Sequence, residues 1–201
     1  MSQSPVDATG GDAQGGYLEG WMATEQQVRE GRSWRGYERH CGYLNLGGTR
    51  FADISAAGGL DFAEDGRALG VVDWDQDGDL DLGLRNRTSP GLRFMRNDLD
   101  RGGRAVGLLL AGQAPNTGAI GARVELHAKG APFPVLRRSV RAGSAYLSQS
   151  SKRLHFGLGD EGSVERVVVH WPNGASEEVS GIQRGGRYVL RQGEGRAQAL
   201  P

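Results

Sequence analysis

From Tyr43 onward the chain alternates short apolar runs with glycine, asparagine and charged turn residues. Residues 43–46, 50–54, 68–72, 80–84 and 92–95 each have the length and alternation of a strand, not of a helix. A second series with longer strands follows at 105–110, 122–127, 134–140, 153–156, 164–171, 176–179 and 187–190. Within it Val167, Val168 and Val169 are β-branched and apolar in succession, which predicts a strand buried on both faces. Turn signals separate the runs, above all Asn173-Gly174, the dipeptide that most strongly marks a tight hairpin.

Before Tyr43 the pattern differs. Leu18, Trp21, Met22, Glu25 and Val28 are spaced for a short helix within 17–30, although Gly20 weakens it. Residues 1–16 offer almost nothing apolar to bury and are expected to form a disordered tail. The mixture of aromatics and arginines over 33–39 is expected to pack an N-terminal arm, 17–42, onto the rest of the protein; a stacking surface for a ligand is the alternative. The polar stretch around Gly102 and Gly103 predicts a boundary between a first β unit, 43–102, and a second, 103–193, with a tail at 194–201. The expected architecture is all-β: one propeller-blade-like unit packed on a small β-sandwich or partly open barrel, with a short N-terminal helix.

Composition narrows the functional classes. Glycine makes up 34 of 201 residues, which suits many tight turns between short strands. The 24 basic and 24 acidic residues balance, so no global field draws the chain to nucleic acid or anionic lipid. Cys41 is the single cysteine, which excludes an intramolecular disulfide and paired-cysteine zinc or redox motifs. No run approaches the roughly 18 apolar residues of a membrane span, and the N-terminus lacks the basic and apolar regions of an export signal.

The sharpest chemical signal is at 73–81, where Asp73, Asp75, Asp77, Asp79 and Asp81 occupy alternate positions and Gly78 sits between the third and fourth. Calcium takes six to eight oxygens at about 2.3–2.6 Å, and alternate side chains of a tightly wound loop converge on such a point. The expected ligands are the carboxylates of Asp73, Asp75, Asp77 and Asp81 with the backbone carbonyl of Asp79, and Gly78 provides the sharp turn. Ionised carboxylates this close repel, so without a cation the loop must splay or take up protons. An EF-hand requires a bidentate glutamate at position 12, where this chain has Leu84, and helices on both sides, where it has strand patterns. Magnesium prefers octahedral sites with retained waters, and softer metals prefer His or Cys, which leaves Ca2+ as the expected ion.

These residues resemble a known family. Tyr43-Leu44-Asn45-Leu46-Gly47, Thr49-Arg50-Phe51-Ala52-Asp53-Ile54, the aspartate loop and Leu92-Arg93-Phe94-Met95-Arg96-Asn97-Asp98 are similar to one FG-GAP (VCBS-type) repeat of the integrin-like propeller class. Asn116-Thr117-Gly118-Ala119-Ile120-Gly121-Ala122, Ser148-Gln149-Ser150, His155-Phe156-Gly157-Leu158-Gly159 and His170-Trp171-Pro172-Asn173-Gly174 are similar to the ASPIC/UnbV domain. The resemblance implies calcium-stabilised β structure, placement outside the cell or in its envelope, and adhesion-like roles, with no catalytic residues. One repeat alone leaves open edges, so a partner or a second protomer is expected to cover them.

Other candidates carry blander readings. His40, His127, His155 and His170 are dispersed without metal spacing. Ser144, Ser148, Ser150 and Ser151 lack a nucleophile elbow and suit turn or ladder roles. Arg137, Arg138, Arg141, Lys152 and Arg153 form either a basic patch for an acidic glycan or phosphate, or ion pairs with Asp160, Glu161, Glu177 and Glu178. Asn86-Arg87-Thr88 has the form of a glycosylation acceptor. Two function classes follow: a calcium-dependent module that binds a protein or glycan, or an enzyme or accessory subunit whose calcium loop is structural or orients an acidic substrate.

Overall fold

The computed structural model describes residues 13–30, 32, 37–98 and 105–200. They form one helix and thirteen strands in four sheets, an all-β protein with a short helix and no closed barrel. The chain divides into two compact units, one made of residues up to Leu69 with Gly83–Phe94, the other of Gly70–Leu82 with Met95–Pro201. The boundary expected near Gly102 falls outside the described residues, and the division found is not a single cut.

Helix α1 (Ala13–Arg29) takes in the last four residues of the stretch expected as a tail, starting at 13 and not near 17. Ala13 and Gln14 favour a helix through backbone propensity, which apolar spacing does not register. Within it the Trp21 indole N–H donates to the Tyr17 hydroxyl at 2.9 Å, and Arg29 pairs with Glu25 at 2.6 Å. Residues 1–12 and 33–36, including Trp34 and Arg35 of the expected packing arm, lie outside the described residues.

In the first unit β1 (Tyr43–Asn45) and β2 (Phe51–Asp53) pair antiparallel as a hairpin, Tyr43 opposite Asp53. Arg39 is ion-paired with Asp61, and Glu64 with Arg93. The Arg93 guanidinium also lies 3.9 Å from the centre of the Phe62 ring. Three further strands, β3 (Gly66–Val72), β4 (Asp81–Asn86) and β5 (Leu92–Met95), form a sheet in the order β3-β4-β5, and the division assigns 70–72, 81–82 and 95 of them to the second unit.

The second unit holds two four-stranded sheets. One has the order β11-β10-β7-β8, from β7 (Arg123–Lys129), β8 (Val135–Ser139), β10 (Ser163–His170) and β11 (Ser176–Val179). The other has the order β13-β12-β6-β9, from β6 (Ala105–Ala111), β9 (Leu154–Gly157), β12 (Arg187–Arg191) and β13 (Ala197–Ala199). Alternate residues of both sheets point into one core: Val106, Leu108 and Leu110 of β6, Phe156 of β9 and Leu190 of β12 meet Val124 and Leu126 of β7 and Val167 and Val169 of β10. This is the sandwich the alternation predicts, since each strand offers one apolar face, in the parallel β6–β12 pair as in the antiparallel pairs.

Two local readings need correction. Val167 and Val169 are buried but Val168 is only half-buried, so β10 buries one face fully and not both; the backbone is flanked by β7 and β11, but the outer face is only partly covered. The expected tail at 194–201 contains β13, which pairs with β12, Tyr188 opposite Ala199. Ala-Gln-Ala carries no apolar signal, and its pairing comes from the edge that β12 presents.

Candidate metal centre

The aspartates occupy the connection from β3 to β4, all within the second unit. Gly78 has φ +99°, the left-handed conformation that favours glycine, and nothing lies within 4 Å of where its Cβ would be. Its requirement is therefore conformational and not spatial. The turn brings the carboxylates of Asp73, Asp75 and Asp77 together, with one oxygen from each within 4.8 Å of the others. These three residues could hold a metal ion.

Asp79 and Asp81 stand apart from that trio and do different work. Asp81 is fully buried, and its two oxygens accept the backbone N–H groups of Trp74, at 2.8 Å, and Asn97, at 2.9 Å. It braces the start of the loop against the segment that follows β5. The Asp79 backbone N–H donates to Asp77 Oδ1 at 3.0 Å, which fixes the Asp77 side chain. Burial, followed by the nearby charges of Asp77, Asp81 and Asp75, pushes the Asp79 carboxyl up to about 6.

Buried polar atoms without partners test whether a cation fits. The Asp73 side chain is only 9% exposed, and its Oδ1 is buried with no hydrogen-bond partner; Asp79 Oδ1 is in the same state. The other Asp73 oxygen, Oδ2, lies 4.0 Å from Arg153 Nη1, beyond hydrogen-bond reach. Buried carboxylate oxygens are costly to leave unmatched, and an oxygen-seeking dication supplies what the protein does not. The donor set, oxygen only, is that of a hard ion.

The loop is anchored by a strap of serines. Val71 donates its N–H to Ser150 Oγ at 3.1 Å, and its carbonyl accepts the Ser151 N–H at 2.9 Å. Ser144 Oγ lies 3.0 Å from Ser150 Oγ and accepts the Ser150 N–H at 2.7 Å. Serine therefore plays the ladder and turn role expected of it. Arg187 Nη1 adds a second anchor, donating to Gln76 Oε1 at 2.7 Å.

Residues 112–197 match the family model described as ASPIC and UnbV. That stretch runs through β7 to the start of β13 and includes the serine strap, so the second sheet system carries an ASPIC/UnbV domain. The match does not reach residues 43–102, whose likeness to an FG-GAP repeat rests on the motifs alone. No curated protein matches the chain. Among the described residues, no helix is long and apolar enough to cross a membrane.

Between the aspartate loop and the ASPIC/UnbV strands lies a cavity of about 350 Å³. Its walls include Asp73, Arg138, Ser150, Arg153, His155 and Arg187. Burial holds the His155 imidazole below its ordinary value, with Asp73 opposing and Arg138 reinforcing the shift. No local pattern along the chain marks this cavity. The signal was present only as outward positions, Gly107, His155 and Arg187, alternating with core residues on three neighbouring strands.

The remaining candidates of the ASPIC/UnbV strands resolve locally. Arg137 pairs with Glu125 at 3.0 Å, and Arg123 approaches the same carboxylate at 3.5 Å. The partner is thus Glu125, across the β7–β8 ladder, and not the more distant acids expected; cross-strand register decides it, Glu125 lying opposite Arg137. Glu177 instead accepts the Trp171 indole N–H at 2.6 Å. His170 Nδ1 is 2.8 Å from Ser176 Oγ, and His127 Nε2 is 3.2 Å from an Arg166 guanidinium nitrogen. In the first unit His40 Nδ1 is 3.0 Å from the Phe62 carbonyl. Asn86, read as a glycosylation acceptor, is fully buried, and its Nδ2 donates to Glu64 at 2.7 Å and to the Pro90 carbonyl at 3.0 Å. The folded protein hides that nitrogen.

Proposed function

We propose that this protein binds calcium at the aspartate loop and acts as an interaction module, the ion fixing the loop beside the ASPIC/UnbV strands so that they present a surface to a protein or glycan. Asp73, Asp75 and Asp77 would hold the ion, with Asp81 bracing the loop and the Asp79 carbonyl within the same turn. Bound there, the dication supplies charge neutralisation and rigidity. The observation that carries the reading is the convergence of three carboxylates around Asp73, whose buried Oδ1 has no partner within the protein.

The test is calorimetric titration of calcium into metal-free protein, paired with thermal melts in calcium and in chelator. One saturable site and a rise in melting temperature with calcium are expected, both lost in Asp75→Ala and Asp77→Ala. Identical melts in chelator and in excess calcium, with no heat of binding, would end the proposal.

The cavity beside the loop favours a second reading, in which the protein is an enzyme or accessory subunit and the loop orients an acidic substrate. Its polar walls support ligand binding more directly than chemistry, because the serine–histidine contact among the described hydrogen bonds, His170 with Ser176, lies on β10 and β11 and not in the cavity lining.

A further inference from the structure

The outer face of the β13-β12-β6-β9 sheet carries an unusual row. Gly107 of β6 lies opposite His155 of β9 on one side and Arg187 of β12 on the other. Its neighbours Val106 and Leu108 point into the core, so Gly107 faces outward, as do His155 and Arg187 opposite it. A Cβ on Gly107 would come within 3.2 Å of Arg153 Cδ and 3.4 Å of Arg187 Cγ. The missing side chain is what lets two arginine stems lie against the same strand, one from each side.

Those stems lead into the cavity under the aspartate loop, where Arg138 joins them. Three arginines therefore line a space in which Asp73 is the single acidic residue among the lining residues, and Arg187 Nη1 reaches across it to Gln76 Oε1 at 2.7 Å. In a chain with equal numbers of acidic and basic residues this is a local concentration of positive charge. Arg153 stands 4.0 Å from Asp73, too far for a direct hydrogen bond, and Arg138 meets the Arg137 backbone carbonyl at 3.1 Å. Guanidinium forks match the planar oxygens of a carboxylate, and three around one space match an oxyanion better than a neutral group. The volume, about 350 Å³, is at the small end of ligand sites, which run about 300–1,000 Å³. Hydroxyl and amide groups of Ser150, Ser151 and Gln76 add polar partners of the kind sugar hydroxyls use.

We infer that this cavity binds a small polyhydroxy carboxylate, a sugar acid in size and chemistry, with its carboxylate held by Arg138, Arg153 and Arg187 over the Gly107 row. Asp73 belongs both to this lining and to the carboxylate trio, so the two sites adjoin, but the inference rests on the arginines and not on a bound metal. A free sugar acid and the uronate end of an acidic glycan share this chemistry, and length separates them.

The test titrates galacturonate, a tri-galacturonate, glucose and inorganic sulfate into the full chain in calcium buffer, followed by calorimetry. Saturable galacturonate binding is expected, at least tenfold tighter than glucose or sulfate. A further gain with the trimer assigns the glycan source, and equal affinity assigns the free acid. Arg153→Gln is expected to weaken galacturonate at least tenfold. Gly107→Val keeps every charge but displaces both stems, and the same loss is expected. Arg166→Gln, which removes a charge beside His127 and outside the cavity, is expected to change nothing. Calcium titrations of Arg153→Gln, read separately, are expected to keep one saturable site, tightened by loss of the cation 4.0 Å from Asp73, so loss of anion binding is not mistaken for loss of the metal. Equal affinity for glucose, preference for sulfate, unchanged binding in Arg153→Gln, or equal losses in Arg153→Gln and Arg166→Gln would each overturn the inference.

Discussion

The Trp74 backbone N–H donates to the fully buried carboxylate of Asp81 at 2.8 Å, closing the aspartate loop from its second residue to its last. The other Asp81 oxygen holds the Asn97 N–H. An aspartate that sequence spacing assigns to metal ligation thus also works as a brace, and the two roles can be separated.

Asp81→Asn places an amide NH2 against one of two backbone donors. A loss of about 1–3 kcal/mol is expected even in chelator, from one unmatched buried N–H and the weaker acceptor. Asp75→Asn, at an exposed position beside Asp73 and Asp77, is expected to cost nothing in chelator and to raise stability slightly, because it relieves repulsion among the three carboxylates. Denaturant melts of both variants without metal check the contrast.

Glu64 and Arg93 give the first unit an acid-sensitive contact. The Arg93 guanidinium holds the Glu64 carboxyl below its ordinary value, with burial opposing. A carboxylate whose value is lowered on folding adds stability that is fully present above its unfolded value, near 4.5, and lost as pH falls through the folded value. Glu64→Gln is expected to cost about 1–3 kcal/mol near neutrality. The gap to wild type should shrink steadily below about pH 4.5. Denaturant melts across this range, read by the fluorescence or exchange of the first unit, test both the size and the direction.

Phe156 is 1% exposed at the centre of the sandwich core. Truncation to alanine removes its apolar contacts and leaves a cavity between two sheets that cannot close fully. A loss of about 3–5 kcal/mol is expected in denaturant melts. The calcium affinity of whatever fraction remains folded should hold, because Phe156 points away from the loop face.

Asn86 is expected to remain unmodified when the chain is expressed through a secretory pathway, since a glycan cannot reach a buried amide that holds Glu64 and Pro90. Intact mass measurement decides it. A glycan on Asn86 would mean that this part of the chain folds after modification or in another way.

Strand positions were readable from the chain because period-two alternation and turn residues are local properties. Residues 92–95 and 176–179 were predicted at their observed bounds, β5 and β11. β13 was missed because a strand of Ala-Gln-Ala is defined by the edge it joins and not by its own residues. The helix start was missed for a related reason, as Ala13 and Gln14 carry propensity without pattern.

Alternate aspartates and Gly78 determined by themselves that the loop would draw carboxylates together, because oxygen donors on alternate positions of a tight turn converge whatever surrounds them. Which aspartates converge, and which one braces, was decided only in three dimensions. Asp81 is engaged by amides seven positions before it and sixteen after it, and no local spacing encodes that pairing. The same holds for the arginines over Gly107. Arg153 and Arg187 are far apart along the chain and meet because β9 and β12 flank β6, and side chains on adjacent strands become neighbours only once the register of the sheet is set.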